Sequence, residues 1–121
     1  MSTRATIKFS DGRDAFYVYR HWDGYPETIL PELEFLVNQV SKHEKRFDLE
    51  YVVTRFLVNQ HDYWSKHKIP LEDYIPYVIT YDFHGDESYL YYCNLITTDV
   101  GVNEHGNVIK DYKWEFGTLE D

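Results

Sequence analysis

The sequence has little of several things, and each shortage excludes something. Its one cysteine, Cys93, excludes an internal disulfide; the thiol lies in an apolar-aromatic run and reads as buried and inert. No apolar run approaches the roughly 20 residues of a membrane-spanning helix, and no charged-then-apolar leader pattern opens the chain. A single soluble domain over 1–121, acting in the cytoplasm, is the expectation. Lys and Arg number 12 against 21 Asp and Glu, a formal net charge of -9. That balance argues against a non-specific binder of long nucleic acid, which needs a basic face. Gly-x-Ser-x-Gly, Walker-type and Gly-x-Gly-x-x-Gly patterns are absent from the sequence. So are His-Glu-x-x-His and paired Cys-x-x-Cys; His21-x-Asp23 and the pair His61 and His67 do not make a zinc spacing. No metal and no cofactor are expected.

What is abundant is aromatic: 12 Tyr, 7 Phe and 3 Trp. Such residues suit half-buried strands, and equally suit planar ligands or amphipathic interfaces. Taken in order, 4–9 alternates Ala5, Ile7 and Phe9 against Arg4, Thr6 and Lys8, a half-buried strand. A turn at 11–14 returns the chain antiparallel over 15–20. Ile29, Leu30, Leu33, Leu36, Val37 and Val40 predict a helix over 28–42, capped by Thr28, with Pro31 in its first turn. Leu49, Val52, Val53, Phe56, Leu57 and Trp64 predict a second helix from Asp48 to Lys68, stopped by Pro70. Its stripe of Tyr51, Arg55, Asn59 and Asp62 is either solvated or turned to a ligand or second subunit. Extended segments follow at 77–83, 88–96 and 108–116, and 117–121 reads as a frayed acidic tail. The fold class is α+β: ββ–αα–βββ, an antiparallel sheet of about five strands with a two-helix layer.

The chemistry concentrates at the end of the second strand. There Arg20, His21, Trp22 and Asp23 precede a corner in which Gly24 supplies a positive φ and Pro26 a fixed one. One reading has Trp22 and Tyr25 capping the core and Arg20 paired with Asp23. The other makes the cluster a ligand site. Arg20, Arg55, Lys110 and Lys113 suit phosphate. Trp22, Tyr25, Phe83, Tyr92 and Trp114 offer stacking faces, and Asn94 offers a donor and an acceptor to a purine edge. His21 beside Asp23 also suits acid–base work, although no nucleophile is coupled to it.

Arg4-Ala5-Thr6, the hairpin, and Tyr19-Arg20-His21-Trp22-Asp23-Gly24-Tyr25-Pro26-Glu27 resemble the Thoeris anti-defence sponge family of bacteriophages. The likeness is to the branch that sequesters cyclic ADP-ribose isomers. It extends more loosely to the strand containing Asn94 and to the segment 110–116, where Lys110 and Lys113 stand in place of an expected arginine. The resemblance implies a small α+β protein that oligomerises in the infected host's cytoplasm. The aromatic positions, more than the core of one such domain encloses, point to an even-numbered homo-oligomer. The resemblance also implies a cyclic nucleotide bound without cleavage and, in some members, cyclic oligonucleotides at a second site. As such a binder, the chain is expected to use Arg20, His21, Trp22, Asp23, Tyr25, Arg55, Phe83, Asn94, Lys110 and Lys113 as its ligand residues. Two other functions fit the residues: an acidic inhibitor of a host defence effector, and a small nucleotide hydrolase using His21 and Asp23.

Overall fold

The computed structural model describes residues 3–67 and 75–119. The alternation of Ala5, Ile7 and Phe9 becomes β1 (Ala5–Ser10), which pairs antiparallel with β2 (Ala15–Arg20) across a turn held by the Asp11 carboxylate. Ala5, Ile7, Phe9 and Val18 are buried under the helices, so the face with the apolar alternation is the core face.

The first helix, α1 (Pro26–Asn38), starts two residues before the expected Thr28 cap. Proline at the first helical position wastes no N–H and already has a helical φ. Tyr25 is thus the capping residue, and its carbonyl accepts from the N–H groups of Thr28 and Ile29. Pro31 consequently lies inside the helix, not in its first turn. The chain winds on through a π-helical turn, Gln39–His43, and leaves it with Lys45 at a φ of 53°. The second helix, α2 (Leu49–His67), opens with Val52 N–H donating to the Asp48 carbonyl, while the Asp48 carboxylate accepts from Arg46. Lys68, Pro70 and 71–74 lie outside the described residues.

Beyond them come β3 (Tyr77–Thr80), β4 (Tyr89–Val102) and β5 (Val108–Thr118). The α+β class stands, with five strands in the order β3-β2-β1-β4-β5. The sheet is mixed, however: β1 and β4 run parallel, whereas the other three pairings are antiparallel. The reason lies in the connection 81–88, which returns diagonally over the sheet face opposite the helices. Phe83 meets Tyr17 edge-on at 5.1 Å, His84 stacks on Tyr19 at 4.0 Å, and Glu87 accepts from the buried Thr6 hydroxyl at 2.5 Å. That path carries the chain across β2 and β1 to the end of the sheet where β1 starts, so β4 must run alongside β1.

β3 is shorter than the expected 77–83, and β4 runs six residues past the expected 96, forming with β5 a two-stranded arm. β5 keeps Gly117 and Thr118 in the ladder and the Leu119 N–H donates to the Leu90 carbonyl, so the expected fraying does not begin at 117; 120 and 121 lie outside the described residues. Gly117 sits beneath the Tyr92 ring, where a Cβ would approach the hydroxyl to 2.9 Å. Cys93 is fully buried, and burial pushes its thiol pKa up to about 12.

Candidate functional site

The corner after β2 works differently from its sequence reading. Asp23, not Gly24, takes the left-handed conformation, with a φ of 56°. Gly24 is required by close approach: an added Cβ would stand 2.8 Å from both the Ala5 Cβ and the Thr3 carbonyl oxygen. Its N–H donates to that carbonyl at 2.9 Å, and its own carbonyl accepts from the Tyr91 hydroxyl at 2.6 Å.

Arg20 ends β2 on the core face and is 1% exposed. Its guanidinium reaches Glu32 of α1 at 2.5 Å, Gln60 of α2 at 3.0 Å and the Trp22 carbonyl at 3.0 Å, and lies over the Trp64 ring. Gln60 also donates to Glu32 at 2.6 Å and accepts from the Trp64 indole at 3.4 Å. A buried cation is tolerable only when its donors are met in this way, and Nη2 alone has no partner among the described residues. The ion pair anticipated with Asp23 is thus made with Glu32. His21 shares a hydrogen bond with the Tyr19 hydroxyl and meets Trp22 edge-on, and Trp22 packs toward Trp64. Tyr25 is 45% exposed and packs against Tyr89.

Glu32 and Gln60 belong to a second feature, a cleft of about 500 Å³ between α1 and α2. Pro31 and Phe35 continue its α1 wall, Arg55, Asn59, Asp62 and Tyr63 its α2 wall, and Gln39 of the π-helical turn closes one end. The stripe noted on the second helix therefore lines a cleft through Arg55, Asn59 and Asp62. Arg55 is bound by Glu44 at 2.5 and 3.2 Å and by the Tyr51 hydroxyl at 3.2 Å; these bonds, Tyr51 first, hold its guanidinium more firmly charged. The Asn59 amide nitrogen donates to the Gln39 side-chain amide oxygen at 2.9 Å. An adjoining hollow of about 390 Å³ shares Phe35 and Gln39. Arg20 thus backs the cleft from the sheet side and fixes two side chains in its lining.

The remaining anticipated ligand residues lie elsewhere. Phe83 covers Tyr17 on the opposite sheet face, and Asn94 sits on that same face between Ser10 and Glu115. Lys110 and Lys113 are on the exposed arm, Lys113 paired with Glu115 at 3.0 Å. Gln39, Gln60, Phe35 and Tyr63 went unremarked in the sequence. Two of them carried a signal: Gln60 is polar on the apolar face of α2, and Phe35 is apolar off the buried face of α1. Among the described residues no group of three or more His, Cys, Asp or Glu side chains is placed to hold a metal ion. None of the described helices is long and apolar enough to cross a membrane.

No protein-family model, curated protein or solved structure matches the chain.

Proposed function

We propose that the protein is a binder that holds a small cyclic nucleotide in the cleft between α1 and α2 without transforming it. In this reading it is a phage-encoded sponge for a host immune signal, of the kind the resemblance implies, acting as an even-numbered homo-oligomer in the infected cell's cytoplasm. The observation that carries the reading is the lining of the cleft. Its volume, about 500 Å³, falls within the range of small-ligand sites. The amides of Gln39 and Asn59, which bond each other, keep the Gln39 nitrogen as donor and the Asn59 oxygen as acceptor for a base edge. Phe35, 63% exposed, and Tyr63 offer stacking faces. Glu32 and Asp62 favour ribose hydroxyls and ring amino groups and repel phosphate, so a phosphate belongs at the Arg55 end. Absence of turnover is supported by the lining, which among the described residues contributes no serine, threonine, cysteine or histidine and whose Glu32 is already committed to Arg20 and Gln60.

The test is to incubate the protein with excess cyclic ADP-ribose isomer, separate the complex, release the contents by heat and analyse them. Recovery of intact isomer from the complex supports the reading. Conversion to linear ADP-ribose favours a hydrolase, and an isomer that never co-elutes with the protein favours the acidic inhibitor.

A further inference from the structure

Every residue of the β4–β5 arm over 97–113 is exposed, although Tyr112 stacks on Phe47 at its base. Val100, Val102 and Val108 each keep more than half their surface in solvent, and Ile109 keeps 44%. β5 is also the end strand of the sheet, eleven residues long. An edge of that length with apolar neighbours invites pairing with another strand.

The pattern on β5 says which strand. Leu119 N–H donates to the Leu90 carbonyl at 2.8 Å, directly continuing the pairing of Tyr91 with Thr118. In an antiparallel ladder the backbone groups alternate in direction. Odd-numbered positions of β5 therefore bond to β4, and Lys110, Tyr112, Trp114 and Phe116 turn their N–H and C=O outward. We propose that two copies of the chain join through this edge, antiparallel, about a twofold axis at Tyr112.

In that register Tyr112 meets the partner's Tyr112, and Asp111 lies opposite the partner's Lys113, twice by symmetry. Val108 falls opposite the partner's Phe116, and Lys110 opposite the partner's Trp114. The neighbouring registers are worse. An axis at Lys113 sets lysine against lysine and Asp111 against Glu115. An axis at Asp111 sets aspartate against aspartate. An axis at Trp114 pairs Lys113 with Glu115, but it places on the axis an indole that is 6% exposed and already donates to the Arg46 carbonyl. Tyr112, 42% exposed, carries no such commitment to the chain beneath it beyond its stacking on Phe47. Like charges opposed across strands destabilise and opposite charges stabilise, so the charges on this edge select one partner and one register. The inference rests on the oligomeric half of the reading above and not on its ligand.

Light scattering on the protein without nucleotide tests it. The expected mass at micromolar concentration is twice 14.6 kDa. Asp111→Lys alone and Lys113→Asp alone each replace two attractions by two repulsions, and each is expected to raise the dimer dissociation constant about tenfold or more. Asp111→Lys with Lys113→Asp restores the dimer. Both side chains are exposed, and circular dichroism checks that the variants fold. Hydrogen exchange of the wild-type protein gives an independent reading: the Lys110, Tyr112 and Trp114 amides gain protection as concentration rises. A wild-type mass of 14.6 kDa throughout overturns the proposal, as does a double variant that stays monomeric. Rescue of Lys113→Glu by Glu115→Lys instead overturns the Tyr112 register. None of these outcomes bears on whether the cleft takes a nucleotide.

Discussion

Arg20 and Glu32, twelve residues apart, meet at 2.5 Å behind the cleft, with the arginine 1% and the glutamate 22% exposed. The pair joins the end of a core strand to the first helix, and Gln60 ties both to the second. Arg20 is therefore a positioning residue for the cleft and a fixture of the fold. Glu32→Gln keeps the shape and removes the charge, leaving a buried guanidinium without a counter-ion. It is expected to destabilise the protein by about 3 kcal/mol, read from the urea midpoint at an unchanged slope. A loss under about 1 kcal/mol means the cation reaches solvent and the pair is dispensable.

Gly24→Ala tests the corner separately. The new methyl group meets the Ala5 Cβ and the Thr3 carbonyl oxygen at 2.8 Å, contacts that neither neighbour relieves by rotating a side chain. Overpacking of this kind costs about 1–3 kcal/mol. Gly101→Ala, at a glycine where an added Cβ meets nothing within 4 Å, is the control and is expected to be far milder. If Gly24→Ala proves as mild as Gly101→Ala in thermal unfolding, the close approach of Ala5 and Thr3 is not what requires glycine at the corner.

Much of this architecture is readable in the sequence, for identifiable reasons. The alternation of Ala5, Ile7 and Phe9 and the spacing of Ile29, Leu33, Leu36 and Val40 are direct prints of the faces they bury. The parallel pairing of β1 with β4 is not readable, because it depends on Phe83, His84 and Glu87 finding Tyr17, Tyr19 and Thr6 across the sheet. Nothing in local sequence encodes a contact 81 residues distant such as Thr6 with Glu87. The cleft is half readable. Arg55, Asn59 and Asp62 follow from helical spacing, whereas Glu32 and Gln60 enter it only because Arg20 holds them.

Glu87 makes part of the stability pH-dependent. Burial raises its carboxyl pKa, but hydrogen bonds from the Thr6 hydroxyl and the His84 and Gly85 N–H groups outweigh burial and leave it below the ordinary 4.5. A carboxyl depressed in the folded state adds stability above its unfolded pKa and loses it as pH falls through the folded one. Stability is expected to drop as pH is lowered below about 4.5. Asp11, held low by the Asp14 and Arg13 N–H groups, moves in the same direction. Glu87→Gln is expected to be less stable at neutral pH and to show a flatter acid limb in urea titrations. An acid limb parallel to that of the unaltered protein assigns the dependence to other carboxyls.

Phe35 separates binding from folding most cleanly. It stands on α1 beside the buried stripe but outside it, 63% exposed, and it borders both the cleft and the adjoining hollow. Few contacts are lost when such a ring is truncated, so Phe35→Ala is expected to shift stability by no more than about 0.5 kcal/mol. A nucleotide stacked on it loses about 1–3 kcal/mol, the value of one base on one aromatic face. Calorimetric titration of cyclic ADP-ribose isomer into both proteins, beside their urea unfolding curves, measures the two effects independently. Weaker binding with an unchanged unfolding midpoint places the base in the cleft against α1. Unchanged affinity at equal stability moves the ligand away from this wall and directs attention to the opposite sheet face, where Asn94 and Tyr92 lie.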